Sequence, residues 1–591
     1  MIWLHGFAVL SLVAHVQAIW PLPVNQSLGT SVVLISSKVK FEYVLQSNQV
    51  LVTRRPSLVQ SLRSQFPQTG PAGYGRSSEP PSVVTTAIDS ARKTIFSQNF
   101  YPWRLRPRNT PFDPPVNASL PVISSIALVQ TSPDPADIST TLLPASVESY
   151  TLSLTASGEV TLTSPSSHGL GHALNTLTQL FYLTASSQAY TPFAPATISD
   201  APLFPHRGLN LDVARSFFSP ASIKRQIDAL AYVKMNRLHL HITDSQSWPL
   251  EIPGLPLLSE RGRYAPGLTY SPETLRDLQQ YGRDRAVQVY LEIDMPGHTA
   301  IIERAYPGLV VAYDLPDWDK WALQPPSGAL KLNSTAVDEF LERLFDDILP
   351  RAKEGSGTWH LGGDEVLPVQ YLLEDGVGVG TREGVRPFMQ RFLDRWRRRV
   401  EQEGLAVVVW EEMLLEWELG VGKDTVVQCW KGAESVSAAV AKGQKVLVGD
   451  YRNWYLDCGH GQWLDFRPET SASFYPYQDY CSPRKSWRQI YAFDPIAGIS
   501  PTLTSLVLGG EVHMWSEQTD EADVDRKIWP RAAAAAEVLW SGAKDGEGRN
   551  RSQIEASPRL AEMRERLLAR GVQAEPVQMP YCTQESEACV L

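Results

Sequence analysis

Two adjacent carboxylates, Asp364 and Glu365, follow a short apolar segment and two glycines in the stretch Thr358-Trp-His-Leu-Gly-Gly-Asp-Glu365. Glycines let the backbone approach a ligand closely or adopt dihedral angles that other residues avoid. Two neighbouring carboxyls that are partly desolvated do not easily both stay ionised, so one is expected to hold a proton near neutral pH. This pattern predicts a general acid at the end of a strand. An ordinary acidic turn is the alternative, and the octapeptide alone does not separate the two.

The elements around this pair alternate between short apolar runs and amphipathic helices from Gly208 onward. Eight runs are predicted to be strands: Gly208–Arg215, Arg237–Asp244, Val287–Asp294, Thr358–Asp364, Ala406–Glu411, Thr425–Trp430, Lys445–Gly449 and Ser505–Trp515. The helices predicted between them are Ser222–Lys234, Pro272–Arg285, Ala336–Leu349, Pro387–Glu403 and Ser435–Lys442, with Ser219, Ser271 and Asn333 as N-caps. Eight alternations predict an α/β fold, the (β/α)8 barrel. An open doubly wound sheet is the competing fold, but no dinucleotide glycine fingerprint or phosphate loop supports it.

Charged and aromatic residues occur at the end of every predicted strand. They are Arg215, Asp244, Glu292 with Asp294 and His298, Asp364 with Glu365, Trp410 with Glu411, Trp430, Tyr455 with Asp457, and Trp515 with Glu517. Active sites of these barrels are built where the strands end. Any one of these residues could be a solvated loop residue, but the joint pattern favours a site.

Composition limits the classes of partner. A chain of 591 residues is expected to hold at least two domains. Its formal net charge of −10 argues against a nucleic-acid or anionic-membrane partner and favours a neutral or cationic substrate. The 17 Trp and 21 Tyr suit the apolar faces of sugar rings, although large cores would explain them equally well.

The amino-terminal end indicates export. Residues 1–18 predict a signal peptide cleaved after Ala18, although its first residues lack Lys and Arg. Four sequons agree with export, at Asn25, Asn117, Asn333 and Asn550. We therefore expect a secreted, extracellular protein, with a lysosomal or vacuolar location less favoured. No later apolar run is long enough to span a bilayer.

Domain boundaries follow from these patterns. Residues 19–200 predict a small α+β domain, residues 201–545 the catalytic barrel, and residues 546–591 a C-terminal helix and tail. The upstream domain contains the predicted strands Val122–Leu128, Ser149–Leu154 and Val160–Thr163 and the predicted helix Gly171–Phe181. The polar segment Arg54–Pro81 reads as a loop or processing region, so a propeptide within about residues 19–100 is a further expectation. A helix over Asp525–Trp540 is predicted to close the barrel.

Five cysteines are compatible with an oxidising compartment. Local pairing predicts disulfides Cys458–Cys481 and Cys582–Cys589, the second clamping the tail, and leaves Cys429 as a buried thiol. No cysteine spacing fits a metal site. His239 and His241 lie two apart on one strand and are either metal ligands or buried structural residues. The structural role is favoured because no acidic residue lies two positions away.

The adjacency of the two carboxylates restricts the mechanism. Neighbouring side chains of a strand point to opposite faces, so Asp364 and Glu365 are not expected to flank one glycosidic bond as acid and nucleophile. Ordinary retaining glycosidases place those two carboxyls about 5 Å apart on separate supports. One member of an adjacent pair can instead act as the acid while the other orients a substrate group.

Five ordered motifs carry a family resemblance: Gly208-Leu-Asn-Leu-Asp-Val-Ala-Arg215, His239-Leu-His-Ile-Thr-Asp244, Asp294-Met-Pro-Gly-His298, His360-Leu-Gly-Gly-Asp-Glu365 and Gly510-Glu-Val-His-Met-Trp-Ser-Glu517. Together they resemble the family 20 glycoside hydrolases, the β-N-acetylhexosaminidases, over about residues 205–541. Ile19-Trp-Pro-Leu-Pro23 is similar to the start of fungal members, which again suggests a propeptide. The sequence departs from many relatives at Ser245, where they carry a second Asp, so only Asp244 is carried over.

The resemblance implies a mechanism in which the substrate's own 2-acetamido oxygen attacks the anomeric carbon. Glu365 would protonate the leaving oxygen and later deprotonate water, while Asp364 would hold the acetamido N–H. The implied substrate-binding residues are Tyr455 on the acetamido carbonyl, Trp410, Trp430 and Trp515 around its methyl group, Arg215 and Glu517 on ring hydroxyls, and Asp457 on the C6 hydroxyl. Asp244, His298 and His360 would position the catalytic pair. The partner is a carbohydrate with a terminal N-acetylhexosamine, and no cofactor is implied. A homodimer and a propeptide that stays bound non-covalently are further expectations.

Three alternatives remain at this point. The barrel could bind sugars without catalysis, or act as a lacto-N-biosidase-like exo-hydrolase of the same family. It could also be a metal-dependent hydrolase that uses His360, Asp364 and Glu365.

Overall fold

A computed structural model describes residues 19–46, 79–110, 113–114 and 119–591. The predicted signal peptide, most of the polar segment Arg54–Pro81 and the sequon at Asn117 lie outside these residues. Of the helices in the described ranges, none combines the length and the apolar character that a membrane crossing requires.

The first domain is a mixed six-stranded sheet covered by helices, as the alternating sequence pattern predicts. Its strands are β1 (Asn25–Leu45), β2 (Val122–Gln130), β3 (Tyr150–Leu154), β4 (Val160–Ser164), β5 (Tyr182–Leu183) and β6 (Ala189–Asp200). Its helices are α1 (Ser82–Phe96), α2 (Ala145–Glu148) and α3 (Ser167–Thr178). The first half of β1 pairs antiparallel with β6, and its second half pairs parallel with β2. Because one long strand serves both neighbours, the sheet wraps around its own apolar core.

The second domain is a closed barrel of eight parallel strands, which confirms the predicted (β/α)8 fold. The barrel strands are β7 (His206–Asp212), β8 (Arg237–Thr243), β9 (Gln288–Ile293), β12 (Thr358–His360), β13 (Ala406–Trp410), β14 (Val426–Cys429), β15 (Lys445–Val448) and β16 (Val507–Met514). A small pair, β10 (Val310–Val311) and β11 (Ala329–Leu330), lies in the long connection after β9. The ring closes where β16 pairs with β7.

Helices follow the barrel strands. They are α4 (Pro220–Tyr232), α5 (Leu257–Gly262), α6 (Pro272–Arg283), α7 (Ile301–Ala305), α8 (Thr335–Gly355), α9 (Arg382–Gln402), α10 (Glu411–Leu415), α11 (Ala433–Ala441), α12 (Tyr451–Trp454), α13 (Pro468–Ser471), α14 (Trp487–Ala492), α15 (Val524–Ile528) and α16 (Arg531–Ser541). The hydroxyls of Ser219 and Ser271 accept hydrogen bonds from backbone N–H groups of the first turn, as the sequence predicts. The predicted cap Asn333 is wrong, because the neighbouring Ser334 hydroxyl accepts the bond from the Val337 amide.

The helix predicted over Asp525–Trp540 is also wrong in its extent. It is two helices, α15 and α16, which are interrupted at Trp529 and Pro530. Proline has no backbone N–H to donate into a preceding turn, so it begins the second helix rather than continuing the first. The chain then continues into α17 (Gln553–Ala569) and α18 (Pro580–Gln584), and a disulfide joins Cys582 to Cys589 in the tail.

The interior of the barrel contains an unusual number of polar side chains. Fully or almost fully buried there are His206, Asn210, His239, His241, Glu292, His360, Gln428, Glu511 and His513. Buried polar groups of this kind must find partners, or they cost stability. Their partners lie on other strands, some neighbouring and some across the barrel, since His206, His239 and Gln428 all contact Glu511. The network reaches the strand ends where His241 contacts Asp244.

Candidate active site

Asp364 and Glu365 stand on a tight loop and not on a strand. Strand β12 ends at His360, and Gly362 and Gly363 follow with φ angles of +71° and +106°. A Cβ atom on Gly362 would lie 1.7 Å from Asp294 Oδ1, so no other residue fits there. Glu365 itself has a φ of +55°, which is uncommon for a residue with a side chain. The expectation that the two carboxylates alternate as strand neighbours is therefore wrong, and both border one cavity.

That cavity has a volume of about 620 Å³ and opens where the barrel strands end. Most of the predicted site residues line it: Arg215, His298, Asp364, Glu365, Trp430, Tyr455, Asp457, Trp515 and Glu517. Asp244, His360 and Trp410 do not line it, and each is at most 1% exposed. The structure thus brings the predicted residues together, with three of them behind the others.

Glu365 is held by a chain of charged groups. Its Oε2 lies 3.5 Å from His298 Nε2, and His298 Nδ1 lies 3.1 Å from Asp244 Oδ1. Asp244 Oδ2 in turn lies 2.8 Å from Arg215 Nη2. Although burial disfavours the imidazolium, the carboxylates of Asp244, Asp294 and Asp364 raise the pKa of His298 well above its usual value. His298 is therefore a cation that faces both members of the carboxylate pair.

Asp364 shares its environment with Asp294. Burial, followed by the charge of Asp294, raises the pKa of Asp364 well above its usual value. Burial likewise raises the pKa of Asp294 to about 7, and Asp294 Oδ1 accepts a hydrogen bond of 2.6 Å from the Gly363 amide. Two buried carboxyls in contact hold one proton between them. The sequence analysis placed Asp294 among the strand-end residues that favour a site, but assigned it no role of its own.

Aromatic rings line another part of the cavity. Trp430 and Tyr455 lie nearly parallel, with ring centroids 6.2 Å apart, and Trp515 lies 6.3 Å from Tyr455. Trp410 packs behind Trp515, with centroids 6.2 Å apart. The indole N–H of Trp430 donates to Glu412 Oε1 at 3.1 Å. Three rings in this arrangement make an apolar pocket for a small group.

Glu412 was missed by the sequence analysis. Burial and the nearby Asp364 raise the pKa of Glu412 to about 8, and Lys431 Nζ lies 2.9 Å from its Oε1. Its signal in the sequence was weak, because it follows Glu411 in the acidic run after β13 and nothing distinguishes the two. In the fold, Glu411 instead accepts backbone hydrogen bonds from Trp430 and Lys431.

A polar side completes the cavity. Gln324 accepts from Arg215 Nη2 at 3.1 Å and donates to Glu517 Oε1 at 3.0 Å. Burial, with Glu517 nearby, raises the pKa of Asp457 well above its usual value, and its buried Oδ1 has no hydrogen-bond partner among the described residues. A buried polar atom without a partner in a cavity wall suits a ligand hydroxyl. The disulfide Cys458–Cys481 closes the loop beside Asp457.

His239 and His241 both have acidic partners, but on other strands. His239 Nδ1 lies 3.1 Å from Glu511 Oε2, and His241 Nδ1 lies 2.7 Å from Glu292 Oε2. No acidic residue two positions away is involved: Glu511 lies on a strand that does not neighbour β8, Glu292 lies on the neighbouring β9, and Asp244, which is 2.7 Å from His241 Nε2, follows three residues later. Both side chains are buried and ion-paired, and Cys429 is buried as a thiol.

Comparison with known proteins agrees with this geometry. A family model described as glycosyl hydrolase family 20, catalytic domain, matches residues 204–543, and one described as beta-acetyl hexosaminidase like matches residues 19–180. The chain belongs to glycosyl hydrolase family 20. A beta-hexosaminidase of Arthroderma benhamiae is 39% identical and is matched over 100% of both chains. A chitooligosaccharidolytic beta-N-acetylglucosaminidase of Bombyx mori is 32% identical over 75% of this chain and 74% of its own.

Solved structures show the same fold. The family 20 β-N-acetylhexosaminidase of Streptomyces coelicolor superimposes with a TM-score of 0.65 at 21% identity, over 95% of this chain and 97% of its own. The family 20 exo-β-N-acetylglucosaminidase of Vibrio harveyi gives a TM-score of 0.70 at 19% identity, over 96% and 79%. As a member of family 20, the chain is a glycoside hydrolase of the β-N-acetylhexosaminidase class.

Proposed function

We propose that the cavity binds a terminal, non-reducing β-linked N-acetyl-D-hexosamine and releases it by exo-hydrolysis with retention of configuration. The observation that carries this proposal is the position of Asp364 and Glu365, which line one cavity together with the pocket of three aromatic rings. Such a pocket can orient an acetamido group as an internal nucleophile, which is a proximity effect. Chitooligosaccharides and glycoconjugates both present such a terminal sugar.

Bond making and breaking follow from this placement. The acetamido carbonyl oxygen attacks C1, while the C1–O bond to the leaving group breaks and Glu365 gives its proton to the departing oxygen. The product is a cyclic oxazolinium ion. Water then attacks C1, Glu365 takes a proton from it, and the acetamido group is restored. His298, which lies 3.5 Å from Glu365, stabilises the carboxylate that forms after the first step.

Asp364 has a different task in this scheme. As an anion it accepts the acetamido N–H, which makes the carbonyl oxygen more nucleophilic and balances the positive charge of the oxazolinium. Its shared proton must leave before it can do so, and Asp294 is the neighbour that can take it. In this scheme Tyr455 donates to the acetamido carbonyl, whereas Arg215, Glu517 and Asp457, which line the same cavity, bind ring hydroxyls.

Turnover of a chromogenic N-acetyl-β-D-glucosaminide, with the matching 2-hydroxyl glucoside as control, tests the proposal. We expect hydrolysis of the first and none of the second, because the second lacks the nucleophile. A thiazoline analogue of the oxazolinium should inhibit at low concentration. A barrel that only binds sugars would show no turnover. A lacto-N-biosidase-like enzyme would leave this monosaccharide substrate intact, because it releases a disaccharide from the non-reducing end. A metal-dependent hydrolase would lose activity with a strong chelator, and we expect none to be lost.

Export remains part of the proposal. The signal peptide lies outside the described residues, while Asn25, Asn333 and Asn550 are all exposed, as glycosylation requires. Mass spectrometry of the secreted protein, before and after treatment with an endoglycosidase, tests which sequons carry glycans. An extracellular location, a homodimer and a retained propeptide are further predictions for the same sample. Its mature N-terminus shows where the chain has been cleaved, and its mass in solution shows whether it is a dimer and whether a cleaved segment stays bound.

A further inference from the structure

Glu292 lies completely buried beneath the cavity and contacts two separate parts of the site. Its Oε1 accepts a hydrogen bond of 2.7 Å from the indole N–H of Trp410. Its Oε2 lies 2.7 Å from His241 Nδ1. One carboxylate therefore connects Trp410, the ring behind the aromatic pocket, to His241, which lines the cavity together with Arg215 and His298.

His241 continues the connection toward the acid. Its other nitrogen, Nε2, lies 2.7 Å from Asp244 Oδ2, and Asp244 is the residue that holds His298 and Arg215. Both ring nitrogens of His241 thus face carboxylates, and only a doubly protonated ring can donate to both. Although burial disfavours the charged form, Glu292 and Asp244 raise the pKa of His241 to about 10.

The surroundings of His241 leave it as the cation between these two carboxylates. The charged or titratable groups around it are Asp212 on β7 and Arg215 after that strand, Asp244 at the end of its own strand, Glu292 and His298 at β9, His360 on β12, and Asp364 and Glu365, which line the cavity with it. The edge of its ring also meets Trp515 at a centroid distance of 5.1 Å. Trp515 in turn packs on Trp410.

We propose that Glu292 and His241 are positioning residues that hold the general acid Glu365 and the aromatic pocket in one arrangement. The route to the acid runs through Asp244 and His298, and the route to the pocket runs through Trp410 and Trp515. Neither Glu292 nor His241 transfers a proton to the substrate. This inference rests on the proposed function, since it assigns Glu365 as the acid.

The first test is the variant His241→Gln, which keeps a donor toward Asp244 but removes the positive charge. Loss of a nearby cation raises the pKa of neighbouring acids, so both limbs of the pH profile of kcat/KM should move upward, by about half to one pH unit. The matched control is His172→Gln, because His172 is equally buried and lies 3.1 Å from the buried Glu148, far from the cavity in the first domain. It should lower thermal stability without moving either limb.

The second test compares leaving groups. His241→Gln should lower kcat/KM for an aryl N-acetylglucosaminide with a poor leaving group about tenfold more than for one with an activated leaving group, because only the former depends on a well-placed acid. An equal loss on both substrates, with unmoved pH limbs, would overturn the proposal and leave a purely structural role. The wild-type enzyme must hydrolyse both substrates, and if it does not, the proposed function fails instead.

The variant Trp410→Phe tests the connection between Glu292 and the aromatic pocket. Its result does not depend on whether the His241→Gln variant folds. Phenylalanine retains an aromatic ring but removes the N–H that Glu292 accepts. If Glu292 couples the two sides, this variant also loses more activity on the poor leaving group than on the activated one. The double variant should then lose less than the product of the two single effects, because both act through one carboxylate. Equal loss on both substrates for Trp410→Phe, or independent effects in the double variant, would contradict the coupling.

Discussion

Two of the clusters of buried charge among the described residues are balanced in different ways. The interface cluster joins the two domains and consists of Glu148, Tyr150, His172, Asp200, Arg207 and Lys234. There Arg207 Nη2 lies 2.6 Å from Glu148 Oε1, and Lys234 Nζ lies 2.8 Å from both Asp200 Oδ2 and the Tyr150 hydroxyl. Although burial opposes ionisation, Arg207 and His172 hold the pKa of Glu148 below its usual range. Each carboxylate of this cluster has a cation of its own.

The cavity cluster consists of His241, Asp244, Glu292, Asp294, His298, Asp364 and Glu365, and carboxylates outnumber cations in it. Asp294 and Asp364 share one nearby cation, His298, whose Nε2 lies 3.8 Å from Asp294 Oδ2 and 4.0 Å from Asp364 Oδ1, and burial raises the pKa of both carboxyls. Where buried carboxyls outnumber the cations, one carboxyl keeps a proton that it can transfer. In the interface cluster each carboxylate is paired with a cation and holds no such proton. The paired cluster therefore stabilises the fold, whereas the unbalanced cluster is set up for chemistry.

The largest expected effect comes from the acid. Glu365→Gln keeps the shape of the side chain but has no proton to transfer, so kcat/KM on a substrate with a poor leaving group should fall at least about 100-fold. Thermal melting should change little, because Glu365 is part of the unbalanced cluster. The control Glu401→Gln removes a surface carboxylate paired with Arg397 and should keep full activity. Retained rates in Glu365→Gln would refute the assignment.

The interface cluster should show the opposite behaviour. Lys234→Met leaves the carboxylate of Asp200 buried without its cation, which should cost about 3–5 kcal/mol of unfolding free energy. Denaturant unfolding measures the loss, and kcat/KM of the remaining folded protein should match the wild type. Lys224→Met is the control, because its partner Asp277 is exposed and such pairs contribute about 1 kcal/mol or less. Equal stability of the two variants would contradict the comparison.

The shared proton gives a third difference between the clusters. Asp294→Asn removes the negative charge that raises the pKa of Asp364, so that pKa falls and Asp364 stays ionised to lower pH. Because ionised Asp364 is needed, the acidic limb of kcat/KM should move to lower pH, by about one unit. Asp200→Asn is the counterpart in the interface cluster and should destabilise the protein without moving the limb. If the acidic limb of kcat/KM does not move in Asp294→Asn, Asp294 does not control the ionisation of Asp364 that the mechanism requires.

The smallest effect is expected at the edge of the cavity. The disulfide Cys458–Cys481 closes the loop that carries Tyr480 and begins directly after Asp457. Replacing both cysteines by Ser should therefore raise KM by less than about tenfold, which is about 1.4 kcal/mol, with little change in kcat. The same replacement of Cys582 and Cys589 in the tail is the control and should leave KM unchanged. A change in kcat alone would show that the loop affects the chemical step instead.

The strand pattern in the sequence was sufficient to predict the eight barrel strands and to bring Arg215, Trp430, Tyr455, Trp515 and Glu517 to one cavity. This prediction was possible because parallel strands in a barrel all end at the same rim. The residues that follow each strand therefore lie near one another, however far apart they are in the sequence. Local helix rules were also adequate at Ser219 and Ser271, where the cap and its partner are three residues apart.

Contacts between distant segments could not be predicted in this way. Glu412 and Gln324 border or support the site although neither ends a predicted strand, and Asp364 and Glu365 face the same cavity only because two glycines turn the chain after β12. The residue types, their order along the chain and the ends of the strands are properties of the sequence itself. Which buried charge faces which, and hence which carboxyl keeps a proton, was decided only when the barrel closed, since burial and the distances between charges arise there.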